Sequence, residues 1–243
     1  NHLHTLTSQQ NLASCYDRIG EHQRALHLLK EILTKRRDLL GEDHPATIAT
    51  LNNLAMCYQN LGDMQSALEF SEEALTKSRA VLGENHPHTH TSLSNLAMCY
   101  RALGENERAL SLYEDALSKT RELFGSDHPD IIPILANLAV IYRDLGETTR
   151  ARPLWEEALN MSRTLFGDDH ASIPGILDNL ALCYMEQDEA RHAVSLLEEA
   201  LAKARTALGN DHLETGNILY NLASCYQRLE DHQRALPLWE EYL

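Results

Sequence analysis

Thirteen histidines, five cysteines and 36 acidic side chains are donors enough for a metal centre, a redox pair or an acid–base catalyst, but here they stand on a ladder rather than in a cluster. His44, His86, His128, His170 and His212 recur every 42 residues. So do Cys15, Cys57, Cys99, Cys183 and Cys225, with Ile141 in the vacant place. A metal ion needs its ligands about 2 Å away, which side chains one structural repeat apart cannot offer together. Each column histidine has only Asp or Asn beside it and is expected to seal a linker; His86 and His90, four apart at a helix start, amount to an adventitious metal site at most. A column that accepts Cys or Ile is a core column. Stacked helices lie about 8 to 10 Å apart, beyond the roughly 7 Å between Cα atoms that a disulfide tolerates. Free, buried thiols in a reducing compartment are therefore expected. No nucleophile with its base and no Gly-rich phosphate loop stands outside the repeat columns, so no catalytic residue, metal site or cofactor is expected.

The polar column that packing leaves unexplained is asparagine. Asn-Leu-Ala recurs at Asn11, Asn53, Asn95, Asn137, Asn179 and Asn221 without one insertion. Asparagine is mediocre inside a helix because its side chain competes for nearby backbone groups. Its amide both donates and accepts, so six in register can hold the backbone of an extended peptide, or can bond the neighbouring repeat and fix a stacking angle. Both readings stand on the sequence.

A repeated element must present these columns. In the unit 41–82, Asp43-His44-Pro45 opens a helix, a polar cap position followed by a residue whose fixed φ suits the first turn. Leu51, Leu54, Ala55, Tyr58 and Leu61 then form an amphipathic stripe, helix A. Leu61-Gly62-Asp63 breaks it, and Ala67, Ser71, Ala74, Leu75, Ser78 and Leu82 form helix B, ended by Gly83. Repetition predicts about twelve helices in six antiparallel pairs and no strands. Ala25, Ala67, Ala109, Ala151, Ala193 and Ala235 mark close helix approach, while Tyr16, Tyr58, Tyr100, Tyr142, Tyr184 and Tyr226 offer apolar area with a hydroxyl that reaches a partner. Trp155 and Trp239 are expected to fill core. The fixed period argues for one domain over 1–243, with repeats at about 2–40, 41–82, 83–124, 125–166, 167–208 and 209–243, and the abrupt ends suggest a fragment of a longer protein.

The pattern x-N-L-A-x-C-Y-x-x-L-G-D/E, followed by A-L and again A-L, resembles the tetratricopeptide repeat. The linkers Leu40-Gly41-Glu42-Asp43-His44-Pro45 and Leu82-Gly83-Glu84-Asn85-His86-Pro87 resemble those of kinesin light chains and related bacterial and fungal proteins, as do Arg152-Pro153-Leu154 and Leu236-Pro237-Leu238. The resemblance implies an all-α fold, a right-handed α-solenoid of about six helix-turn-helix repeats, with the Asn column looking into a concave groove. Variable columns beside it give that groove an apolar centre at Met56, Met98, Val140 and Leu182 and two cations at Arg101 and Arg143. Chaperone-type carboxylate clamps depend on more lysines and arginines than this. Four positions depart from the pattern: Ala171 and Leu213 replace the linker Pro, and Asp188 and Glu230 the turn Gly, at a few tenths to about 1 kcal/mol each.

The composition, 43% hydrophobic and 23% charged, is that of a folded chain. No apolar run approaches the roughly 18 to 20 residues of a membrane helix and no signal peptide opens the chain, which points away from membranes and to the cytoplasm. A net charge of -15 disfavours nucleic acid. The expected function is a non-enzymatic scaffold that binds a peptide segment of a partner protein. The alternative is a ligand-sensing or self-assembly module attached to a signalling NTPase or protease domain, with self-association possible. Arg37, Arg79, Arg121, Arg163 and Arg205 fall in the last turns of helix B, where a cation complements the helix dipole and can pair with the linker acids Asp43, Asp127, Asp169 and Asp211. Arg121→Ala is therefore expected to lower the thermal midpoint more than Arg108→Ala; equal midpoints would refute the structural role of this column.

Overall fold

The computed structural model describes residues 2–84 and 86–242, the side chains of residues 2 and 3 excepted. Among them are twelve helices and no strand: α1 (His2–Arg18), α2 (His22–Leu40), α3 (Pro45–Asn60), α4 (Met64–Leu82), α5 (Pro87–Ala102), α6 (Asn106–Phe124), α7 (Ile131–Asp144), α8 (Thr148–Phe166), α9 (Ile173–Glu186), α10 (Ala190–Ala207), α11 (Leu213–Arg228) and α12 (His232–Tyr242). Odd-numbered helices are the A helices and even-numbered ones the B helices. The chain divides into two compact units, Asn1–Lys119 and Thr120–Leu243. It is an all-α array of helix-turn-helix repeats.

Each linker histidine bonds the backbone at the approach to helix A. His44 Nδ1 accepts the Ala46 amide at 3.1 Å, and His86, His128, His170 and His212 accept the amide two residues on in the same way, at 3.1 to 3.3 Å. In α3, α5 and α11 the imidazole thus serves as the N-cap acceptor, whereas α7 and α9 begin after Asp130 and Ser172, which make no side-chain cap bond. Where Thr47, Thr89 and Thr215 donate to the carbonyls of Gly41, Gly83 and Gly209 at 2.7 to 2.9 Å, helix A starts two residues before the threonine. Ile131 and Ile173 hold that place in the other two repeats, and there helix A starts at the isoleucine. A hydroxyl that secures the linker glycine accompanies the longer helix.

The turn from A to B closes with one device throughout. The amide of Asp63 reaches back to the Tyr58 carbonyl at 3.0 Å while Gly62 donates to Gln59 at 3.0 Å, with Gly62 at φ +78°. Asp188 and Glu230 adopt the same conformation at φ 63° and 60°, the positive-φ non-glycine residues of the described chain, at a cost of about 1 kcal/mol each. These are the two turn-glycine replacements among the four departures that the sequence marks.

Packing is between A and B stripes. Ile32, Ile48, Leu51 and Leu54 are fully buried in the first unit; Leu135, Leu138, Ile173, Leu177 and Leu197 are among those buried in the second. The alanine column is buried throughout, and so is Trp155. Cys57, Cys99, Cys183 and Cys225 are buried free thiols, and burial pushes Cys57, Cys183 and Cys225 up to about 11. Cys15 departs from expectation: on α1 it is exposed, because no earlier helix of the described chain covers that face.

Ion pairs join successive B helices, in a register that corrects the linker pairing expected from sequence. Arg37, Arg79, Arg121, Arg163 and Arg205 bind the carboxylate 36 residues on, at Glu73, Asp115, Glu157, Glu199 and Glu241. The linker acid they meet is the one before the expected position: Arg37 meets Glu42, Arg79 meets Glu84 and Arg163 meets Asp168, at 2.8 to 3.2 Å. A lysine of the next B helix closes each clamp, as Lys77 on Glu42 and Asp43, Lys119 on Glu84 and Lys203 on Asp168. Hydrogen bonds to Asp43, Asp115 and Asp168 hold these three ammonium groups above the ordinary lysine range. The place of the linker acid is taken by Ser126 next to Arg121, and that of the lysine by buried Met161, so this junction keeps only Arg121 and Glu157. Ser126→Glu combined with Met161→Lys should be more stable than the two single changes predict by about 1 kcal/mol, as a closed network permits. A double-mutant cycle in urea reads this coupling; additive effects would show that the clamp does not close there.

Candidate functional site

The Asn column holds one position on helix A, and its members differ in whether their amides are bonded. In the first unit, Asn95 is buried on α5 and its Nδ2 donates to the Asn52 carbonyl of α3 at 3.3 Å. Asn52, also buried, accepts from the Ser92 hydroxyl at 2.8 Å, and Gln59 donates to the Asn95 carbonyl at 2.9 Å. These amides fasten α3 to α5. Asn53 is half-buried and makes no hydrogen bond among the described residues. It lies on one face of α3 with Met56 and Asn60, both exposed, at helical spacings of three and seven. Met98 and Arg101 are the exposed members on α5, Arg101 with a partner of its own. Asn11 on α1 is exposed, beside exposed Leu12.

In the second unit the face carries more committed polar groups. Arg143 of α7 donates to Asn179 Oδ1 at 3.1 Å, while Asn179 Nδ2 donates to the Gly175 carbonyl at 2.8 Å. Asn221 of α11 donates to Asp178 of α9 at 2.8 Å, and burial raises the Asp178 carboxyl above its usual range. Arg143 thus acts as a bridge from α7 to α9. Asn137, half-buried between Ala136 and Leu138, makes no hydrogen bond among the described residues, and Val140 and Leu182 are half-buried beside it on their helices.

The tyrosine column uses its hydroxyl in a way the sequence only hints at. Arg24, Arg150 and Arg234 lie eight residues after Tyr16, Tyr142 and Tyr226, each over the ring at 4.1 to 4.9 Å and each donating to the phenol oxygen. Tyr100, Tyr184 and Tyr226 also donate to Glu72, Glu156 and Glu198 on the preceding B helix. Burial, and then the facing carboxylate, pushes these three hydroxyls above the ordinary phenol range. The Arg at tyrosine plus eight is visible in sequence as the recurring Arg-Ala of helix B, but its partner is not. Among the described residues no group of three or more His, Cys, Asp or Glu side chains is placed to hold a metal ion, and no helix is long and apolar enough to cross a membrane.

The tetratricopeptide repeat matches residues 5–46, 31–76, 46–122, 88–164, 130–202 and 172–243, a nearly unbroken cover of the chain. The chain belongs to the tetratricopeptide-repeat family. Tetratricopeptide repeats mediate protein–protein interaction, and proteins built of them are typically non-enzymatic scaffolds. No curated protein matches this chain. Among solved structures, this tetratricopeptide array is similar to BtubC (BKLC) from P. vanneervenii, at 23% identity over 98% of this chain and 89% of that one, with a TM-score of 0.73. It is also similar to a kinesin-light-chain-like protein of Podosopora anserina with nearly identical repeats, at 28% identity over 84% and 97%, with a TM-score of 0.68. The apo quorum sensor NprR from B. thuringiensis shares the fold at 15% identity over 100% and 76%, with a TM-score of 0.67.

The split within the Asn column has a direct consequence for stability. Asn95→Ala removes a buried hydrogen bond and should cost about 1 kcal/mol. Asn53→Ala removes none and replaces a weaker helix former, so it should be neutral or stabilising by a few tenths of a kcal/mol. Urea midpoints of the two variants read the difference, and equal losses would contradict the division.

Proposed function

We propose that residues 1–243 form one protein-interaction scaffold whose helix A faces capture an extended peptide segment of a partner, with uncommitted asparagine amides on the peptide backbone and variable side chains selecting its residues. The observation that carries this reading is the pairing of free amides with exposed apolar side chains. Asn53 and Asn137 have no hydrogen bond among the described residues, and Met56 and Met98 stand exposed on the same faces as their columns. A half-exposed amide can give a peptide both a donor and an acceptor, and flexible Met adapts to varied side chains. Asn11, with Val140, Leu182, Arg101 and Arg143, completes the proposed set. Asn95, Asn179 and Asn221 of the same column instead hold neighbouring helices in register. The buried, unpaired thiols suit a reducing compartment such as the cytoplasm, and a net charge of -15 suits a protein partner better than nucleic acid.

Peptides selected from a random linear library test the reading. Asn53→Ala or Asn137→Ala should weaken a selected peptide by about tenfold, the worth of one or two hydrogen bonds, with the thermal midpoint unchanged. Unaltered affinity in both variants would remove the proposal's main support. Concentration-dependent self-association insensitive to these substitutions would favour the sensing or self-assembly module instead.

A further inference from the structure

One cation in the first unit is buried without a counter-charge. Arg36 of α2 is 5% exposed, and its Nη1 donates to the Gln10 side chain of α1, to the Ala46 carbonyl at 2.8 Å and to the Thr50 hydroxyl at 2.7 Å on α3. All three acceptors are neutral, and Arg36 makes no ion pair among the described residues. Its neighbour Arg37 has two, with Glu42 and Glu73. A buried charge without an opposite charge is costly, and stacking does not require it here. The same place in later B helices holds Ser78, Thr120, Ser162 and Ala204, all small and all buried. Nor does Arg36 complete a helix end, since Thr50 already donates to the Ala46 carbonyl at 2.9 Å.

We propose that Arg36 is an anion subsite in the floor of the helix A face of the first unit, taking a carboxylate of the bound peptide, from an Asp or Glu side chain or from the chain end. This rests on the peptide-binding reading above and names one chemical feature of the peptide. The Nε and Nη2 edge of the guanidinium makes no hydrogen bond among the described residues and is not sealed from solvent, so the fork that matches a carboxylate is unspent. The bonds to Gln10 and Ala46, both half-buried, place the guanidinium between α1 and α3. Ala46 and Ala49, beside it on α3, are small and half-buried. Burial also lowers the guanidinium from its ordinary range, which accords with a site that lacks its anion.

The test selects random linear peptides in parallel on the wild type and on Arg36→Met. The wild type should enrich Asp or Glu at one position, or a free carboxyl end, and Arg36→Met should not. A selected peptide should bind Arg36→Met about tenfold or more weakly than wild type, the loss expected for a charged hydrogen bond. Its Glu→Gln version, or its C-terminal amide if the chain end is the anion, should bind both proteins alike, and which of the two changes matters identifies the source of the carboxylate. Arg36→Ser, the residue type at Ser78, guards against a failure peculiar to Met. Free Arg36→Met should unfold at the same or a higher urea concentration than wild type. Acid enrichment that persists in both variants, or a marked loss of stability in both, would overturn the proposal in favour of a structural arginine. Loss of all binding in Asn53→Ala with acid preference intact elsewhere would bear on the peptide-backbone contact and not on Arg36.

Discussion

Each repeat of this chain can bury its apolar stripe only against its neighbours, so everything else depends on what holds one helix pair at a fixed distance and angle from the next. Hydrophobic burial supplies the drive but no register, because it is non-directional. Register comes from polar groups spaced one repeat apart, in particular the arginine at the end of each B helix on a carboxylate 36 residues later. The histidine bonds at the linkers and the positive-φ turns recur from pair to pair, with helix A shorter in α7 and α9. These groups are partly exposed and individually weak, but each recurs at nearly every junction of the array, where nearest-neighbour terms add.

That demand for register also decides which polar groups stay uncommitted. A polar side chain at the A-to-A boundary is drawn into the stack wherever a partner lies within reach, as Asn95, Asn179 and Asn221 are. The same residue in an identical triplet remains uncommitted at Asn53 and Asn137. On the peptide-binding proposal one column serves two purposes, set by what each member meets one repeat away, the Asn52 carbonyl for Asn95 and the Asp178 carboxyl for Asn221. Arg36 is the converse case: a charge placed in the stack where the other repeats need only a small residue.

The helices, the turn glycines and the alanine and leucine core were legible in the sequence because each follows from local periodicity or from a backbone conformation that few residues tolerate. Strain at Asp188 and Glu230 was legible for the same reason. Partners were not. The spacing of the arginine column announced an ion pair, yet the linker acid it meets is one residue from the expected one, since a helix end and a bent linker do not preserve the spacing of a straight helix. The histidine column looked like a linker seal and proves to be the cap itself in α3, α5 and α11, because the imidazole accepts the amide two residues on. Nothing in six identical triplets distinguishes a bonded asparagine from a free one, as that distinction lies 43 residues away at Asn52 or Asp178.

The side-chain amide protons of the asparagines report directly on this division of labour. In nitrogen-edited NMR spectra of the chain with a saturating selected peptide, the Asn53 or Asn137 side-chain signals should shift and gain protection from exchange. Those of Asn95, already bonded in the free protein, should stay where they were. Movement confined to Asn95, Asn179 and Asn221, with Asn53 and Asn137 unchanged, would contradict the account.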